Sequence, residues 1–246
     1  MSYEDGLRRL GLDDTQMEEP YRGIFSISAW DKSGKTHAAL TLPGPIAYLD
    51  LDLGTEGVVG KFQRGGKKIF LHQFRLMERA TEKSQAQWMQ TWQEFQRMFY
   101  GVLSVMDGTG GTVIIDTETA MYDTARLAYF GKLSQVPPQL YTNCYEDLSK
   151  TIMQVYATDL NLALLRKMHT DFTTKEDAVK GFREIPYLVQ VNLESKRIDQ
   201  VDEHGSPKGA KFELTVVNSR WEGATLTGKK VPGADMENLL SMMHRA

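Results

Sequence analysis

Short apolar runs separated by polar stretches set the rhythm of this chain. Residues 23–28, 46–51 and 112–116 are each five or six residues of which half or more are Ile, Val, Leu, Phe or Tyr, the length and composition of buried strands. A further apolar piece, Ile69-Phe70-Leu71, follows a Gly-Gly-Lys-Lys turn within residues 65–74. From about Ser84 the period changes. Trp88, Trp92, Phe95, Phe99 and Val102 recur four, three, four and three residues apart, which places them on one face of a long helix packed on a sheet. The turn at 107–111 ends it.

Downstream, residues 119–149 read as a less regular stretch with Pro137-Pro138 in its middle, and a helix is expected over 145–159. An apolar strand over 160–168, a polar segment over 169–184, and two strand-like runs at 187–193 and 211–217 follow. A hairpin-like turn at 202–207 separates the last two, and a short helix over 235–243 closes the pattern. A short amphipathic helix is expected over 3–12. Strands alternating with helices predict an α/β fold with a mostly parallel central sheet flanked by helices. Residues 1–20 read as a lead-in segment and 21–246 as one domain.

Composition narrows the classes. With 246 residues, 41% of them hydrophobic, the chain can bury a full core. A net charge of -3 excludes a globally basic nucleic-acid coat and leaves room only for a local basic patch. Cys144 is the only cysteine, so neither a disulfide nor a cysteine-rich zinc site is expected. The charged first residues carry no signal-peptide core or membrane span, which leads to the expectation of a cytoplasmic protein without a membrane partner.

The chemistry starts where the first strand ends. Ala29-Trp30-Asp31-Lys32-Ser33-Gly34-Lys35-Thr36 departs from the phosphate-binding motif G-x-x-x-x-G-K-[ST] only at Ala29. After a buried strand, such a loop turns its N–H groups inward and the next helix, expected over 36–42, starts at the same hollow. Lys35 would reach the β- and γ-phosphates of ATP, and Thr36 would offer its hydroxyl to Mg²⁺. Ala tolerates ordinary β and α conformations, so the missing first glycine is a modest departure. A second carboxylate is needed for the metal, and Val113-Ile114-Ile115-Asp116 supplies a Walker B pattern. For orienting a water against the γ-phosphate, the candidates are Asp52, Glu56 and Glu118.

In this order the motifs resemble the RecA-like P-loop ATPases of the AAA/RecA superfamily, more narrowly those that many phages encode beside their recombination genes. Residues 47–52 resemble the family's second strand, with Asp52 where the family carries its catalytic glutamate. Residues 160–169 resemble the strand inserted between the P-loop and Walker B strands, which puts His169 at the γ-phosphate-sensing end. Residues 184–193 resemble the strand after the mobile loop. Residues 211–220 resemble the last strand, with Arg220 as the basic residue facing the nucleotide or a neighbouring subunit.

The resemblance implies an ATP- and Mg²⁺-dependent enzyme that binds single-stranded DNA in recombination, annealing or replication. It also implies head-to-tail homo-oligomers, and single-strand-binding or other recombination proteins as further partners, in a host cytoplasm if phage-encoded. The DNA loops would be 119–149 and 169–184, with Lys175, Lys180 and Arg183 meeting phosphates and Tyr122, Tyr129 and Phe130 stacking on bases. Two other classes share the same loop: a nucleotide or small-molecule kinase, and a weakly hydrolysing ATP-dependent switch or loader.

Overall fold

The computed structural model describes residues 22–53, 55, 57–74, 84–171, 174–201, 207–220 and 226–244. The expected helix over 3–12, Glu56 and most of the 202–207 turn lie outside them. The described chain is a mixed α/β fold in which a mostly parallel sheet is flanked by helices on both faces.

The strands are β1 (Ile24–Ala29), β2 (Ile46–Asp50), β3 (Ile69–Gln73), β4 (Thr112–Asp116), β5 (Asn161–Thr170), β6 (Asp177–Val179), β7 (Val191–Val201), β8 (Pro207–Ser219) and β9 (Lys230–Val231). Their order across the sheet is β3-β2-β4-β5-β1-β7-β8-β9, with β6 paired antiparallel to the far end of β5. From β3 to β7 all pairings are parallel; β7, β8 and β9 are antiparallel. As the resemblance implies, β5 lies between β1 and β4.

Both faces are covered, and the side chains divide with period two. Val113, Ile115, Leu162 and Leu164 enter one core, while Ile114, Ala163 and Leu165 enter the other. The first core is closed by α3 (Gln85–Met106), α4 (Glu118–Phe130) and α5 (Tyr141–Met153), the second by α1 (Lys35–Ala39), α2 (Val59–Arg64) and α7 (Met236–Met243). A one-turn α6 (Ile185–Leu188) precedes β7.

The aromatic stripe of α3 packs on the sheet, as its spacing predicts: Trp88, Trp92, Phe95 and Phe99 are all buried. Ser84 caps the helix reciprocally with Gln87, satisfying two orphan N-terminal donors. No described helix is long and apolar enough to cross a membrane.

The expectation for 119–149 is corrected. Instead of a less regular, DNA-contacting loop it holds α4 and most of α5, joined by a 3-10 turn at Pro138–Leu140. Tyr122, Tyr129 and Phe130 pack against the core, with Tyr122 stacked on Phe182 and the Tyr129 hydroxyl donating to Asp147. The Pro-Pro pair breaks two packed helices apart; it does not mark an open loop.

Candidate functional site

β1 ends at Ala29, fully buried and level with Lys167 of β5. The chain then turns, with Ser33 N–H donating to the Trp30 carbonyl and Lys32 at φ 59°. Gly34 follows at φ 87°, a left-handed conformation that strains any Cβ-bearing residue. Space imposes the same choice, because a Cβ here would lie 2.5 Å from the Phe212 ring of β8. From β7, the buried Ser195 hydroxyl donates to the Ser33 carbonyl at 2.5 Å and ties the loop down. α1 is only five residues, shorter than expected, so its dipole contributes little. An anion at this loop would be held chiefly by Lys35 and by backbone N–H groups of the loop itself.

The loop forms one wall of a cavity of ≈ 610 Å³ lined by Asp31 through His37, with Asp52, Val58, Asp116, Thr117, Lys167 and Phe212 completing it. Lys35 is largely buried and its ammonium leans on the carbonyls of Trp30 at 3.3 Å and Ala29 at 3.5 Å. Burial lowers its pKa, opposed chiefly by Asp116. Opposite, Thr36 Oγ1 donates to Asp116 Oδ2 at 3.1 Å and the Tyr48 hydroxyl donates to the same oxygen at 2.5 Å. Burial pushes the Asp116 carboxyl up, while those two hydrogen bonds pull it down.

The two acids at the end of β2 take different roles. Asp50 is fully buried and accepts from Thr55 Oγ1 at 2.7 Å, Gln73 Nε2 at 3.3 Å and the Asp52 N–H at 3.1 Å. It braces the turn that carries Asp52. Asp52 itself stands beyond the strand, lines the cavity and pairs with Lys167 at 2.6 Å.

No family model matches the chain, and no curated protein matches it at a significant level.

Lys35, Thr36, Asp52 and Asp116 are brought together, from three strand ends. Their oxygens suit a hard cation: among the described residues no group of three or more His, Cys, Asp or Glu converges, so Mg²⁺ here would rest on Thr36, Asp116, water and the ligand's own oxygens.

Five of the expected site residues lie outside the cavity. His169 does not line the cavity; β5 runs on past the sheet to pair with β6, and His169 sits in that extension opposite Ala178. The strand-end position facing the cavity belongs to Lys167. Glu118 is fully buried away from the cavity, accepting from Arg166 Nε at 3.0 Å and the Phe182 N–H at 2.7 Å. Arg220 is at the wrong end of the sheet: its N–H donates to the Gln190 carbonyl, and the Gln190 N–H to that of Ile24, the first residue of β1. The loop begins at the other end of that strand, five residues or roughly 17 Å away. Trp30 turns outward, its indole donating to Asp177 of β6 at 3.3 Å, and neither it nor Ala29 lines the cavity.

Tyr48, Lys167, Ser195 and Phe212 were missed. Tyr48 was legible in principle, two residues before Asp50 on a strand whose alternation puts both side chains on one side. The others reach the site through pairings distant in sequence, which no local pattern carries.

Proposed function

We propose that the chain is a RecA-like P-loop protein that binds ATP with Mg²⁺, hydrolyses it, and acts on single-stranded DNA. The observation that carries this reading is the strand order. With β5 between β1 and β4, the loop holding Lys35 and Thr36 and the tip holding Asp116 flank one cavity, and the Thr36 hydroxyl meets the Asp116 carboxylate.

In this reading Lys35 exchanges its two carbonyl contacts for β- and γ-phosphate oxygens, a stronger charge-assisted partner. Thr36 and Asp116 would hold Mg²⁺, which would supply charge neutralisation for the phosphates. Tyr48 keeps Asp116 oriented. Asp52 orients the attacking water. Val58 and the stacked rings of His37 and Phe212 would offer the base an apolar wall; burial lowers the His37 pKa, which favours the uncharged ring there.

The DNA reading rests on exposed Lys175, Lys180 and Arg183 on and beside the β5–β6 hairpin, which touches the loop through Trp30 and Asp177. Head-to-tail assembly belongs to the same proposal. A second reading, a slowly hydrolysing switch, is favoured by one feature: Asp52 is already engaged by Lys167.

The test is ATP hydrolysis with and without single-stranded DNA by the wild type, Lys35→Ala and Asp116→Ala. Loss in both variants and stimulation by DNA are expected. Equal hydrolysis by wild type and Lys35→Ala overturns the reading, and tight ATP binding with negligible turnover selects the switch.

A further inference from the structure

Among the described residues that line the cavity, Lys167 is a cation whose ion-pair partner is itself a proposed working group. Its ammonium lies 2.6 Å from Asp52 Oδ2, with both side chains about one-third exposed at the cavity wall. The backbone of Lys167 is held on both sides, its N–H donating to Thr119 Oγ1 at 3.2 Å and its carbonyl accepting from the Lys180 N–H at 2.8 Å. Only the side chain is free to swing. The neighbouring Arg166 donates to Glu118 and to the Phe182 carbonyl, which further anchors β5 beside Lys167.

Lys35 and Lys167 therefore face one cavity but are held differently. Lys35 rests on neutral carbonyls and is available to any phosphate chain. Lys167 is neutralised by a carboxylate and leaves it only for a stronger anion.

We propose that the Lys167–Asp52 ion pair is a latch that distinguishes a nucleoside triphosphate from a diphosphate and restrains Asp52 until the triphosphate is present. The proposal rests on the nucleotide-binding reading of the cavity. A terminal phosphate draws the Lys167 ammonium from Asp52, and the released carboxylate then turns to the water. A diphosphate lacks the group that reaches Lys167, so the pair persists and Asp52 stays engaged. The same lysine thus supplies both discrimination and restraint.

The experiment measures binding of Mg²⁺ with ATPγS and with ADP by calorimetry, for wild type, Lys167→Met, Lys167→Arg, Asp52→Asn and the double variant Lys167→Met/Asp52→Asn. A charge-assisted contact to phosphate implies that Lys167→Met weakens ATPγS roughly ten- to a hundredfold. ADP affinity stays within about twofold, which also reports that the variant is folded. Lys167→Arg retains most of the preference for ATPγS. Asp52→Asn, by freeing Lys167, tightens ATPγS more than ADP, and this gain disappears in the double variant. Equal weakening of both ligands, or none of either, by Lys167→Met overturns the latch. If wild type binds neither ligand, it is the nucleotide reading itself that fails.

Discussion

Thr36 Oγ1 donates to Asp116 Oδ2 at 3.1 Å, although 80 residues separate the two in the chain. Neither residue reaches the other through a shared ladder, because β5 stands between their strands. The contact exists because β1 and β4 run parallel and end at the same rim, where ligands of open α/β sheets bind. Tyr48 closes the arrangement from β2, so three strands fix the orientation of one carboxylate.

Tyr48→Phe tests that fixing. The ring is fully buried and phenylalanine preserves its shape, so the substitution removes little more than the hydroxyl. Asp116 then loses its shortest donor in a nearly dry site, at a cost of about 1–3 kcal/mol. Guanidinium unfolding should show that loss at pH 7, where the carboxylate most needs a donor. An unchanged midpoint would mean that water replaces the phenol.

Gly34→Ala combines two penalties. The left-handed backbone costs about 1 kcal/mol or more for a Cβ-bearing residue, and the methyl meets the Phe212 ring. Phe212→Leu in the same chain should recover only part of the loss, since it relieves the contact and leaves the backbone conformation. Thermal unfolding of the two single variants and the double variant separates the terms.

Ser195→Ala removes the donor to the Ser33 carbonyl. The expected loss is about 1 kcal/mol, and faster amide exchange should be confined to the loop around Ser33. Exchange unchanged there would show that the Phe212 contact alone holds the loop.

The sheet was legible because strands covered on both faces are rich in apolar residues, as 24–29, 46–50 and 112–116 are. The loop and Asp116 were legible for the same reason, each standing where such a run stops. Strand ends at charges were not. The run reads on to Met168, which puts the apparent tip of β5 at His169, whereas Arg166 is buried against Glu118 and Lys167 is the residue that lines the cavity. Glu118 misled in the opposite direction, as an acid beside Asp116 that belongs to the first turn of α4 and to the interior. Arg220 depended on the register of β8 against β7, which has a bulge between Asn192 and Leu193 and no sequence signature.

The Glu118–Arg166 pair gives stability a pH dependence of definite sign. Burial pushes the Glu118 carboxyl up to about 7, against the attraction of Arg166 and the Phe182 N–H. A carboxyl in the unfolded chain ionises near 4.3. Between those values the folded state binds the extra proton, so the contribution of Glu118 is fully present below the unfolded pKa and is lost as pH rises through about 7. Glu118→Gln cannot ionise and should flatten that decline. It also leaves the nearly buried Arg166 without its counter-charge, at a cost of about 3–5 kcal/mol. Gly181 makes the reverse test. It stands at φ 123°, and a Cβ there would lie 2.2 Å from Glu118 Oε2. Gly181→Ala should therefore displace the carboxylate from the Phe182 N–H while both charges remain. Urea unfolding at half-unit steps from pH 5 to pH 8 reads all three chains, and a wild-type stability that rises across this range after the other ionisations are subtracted would reject the assignment to Glu118.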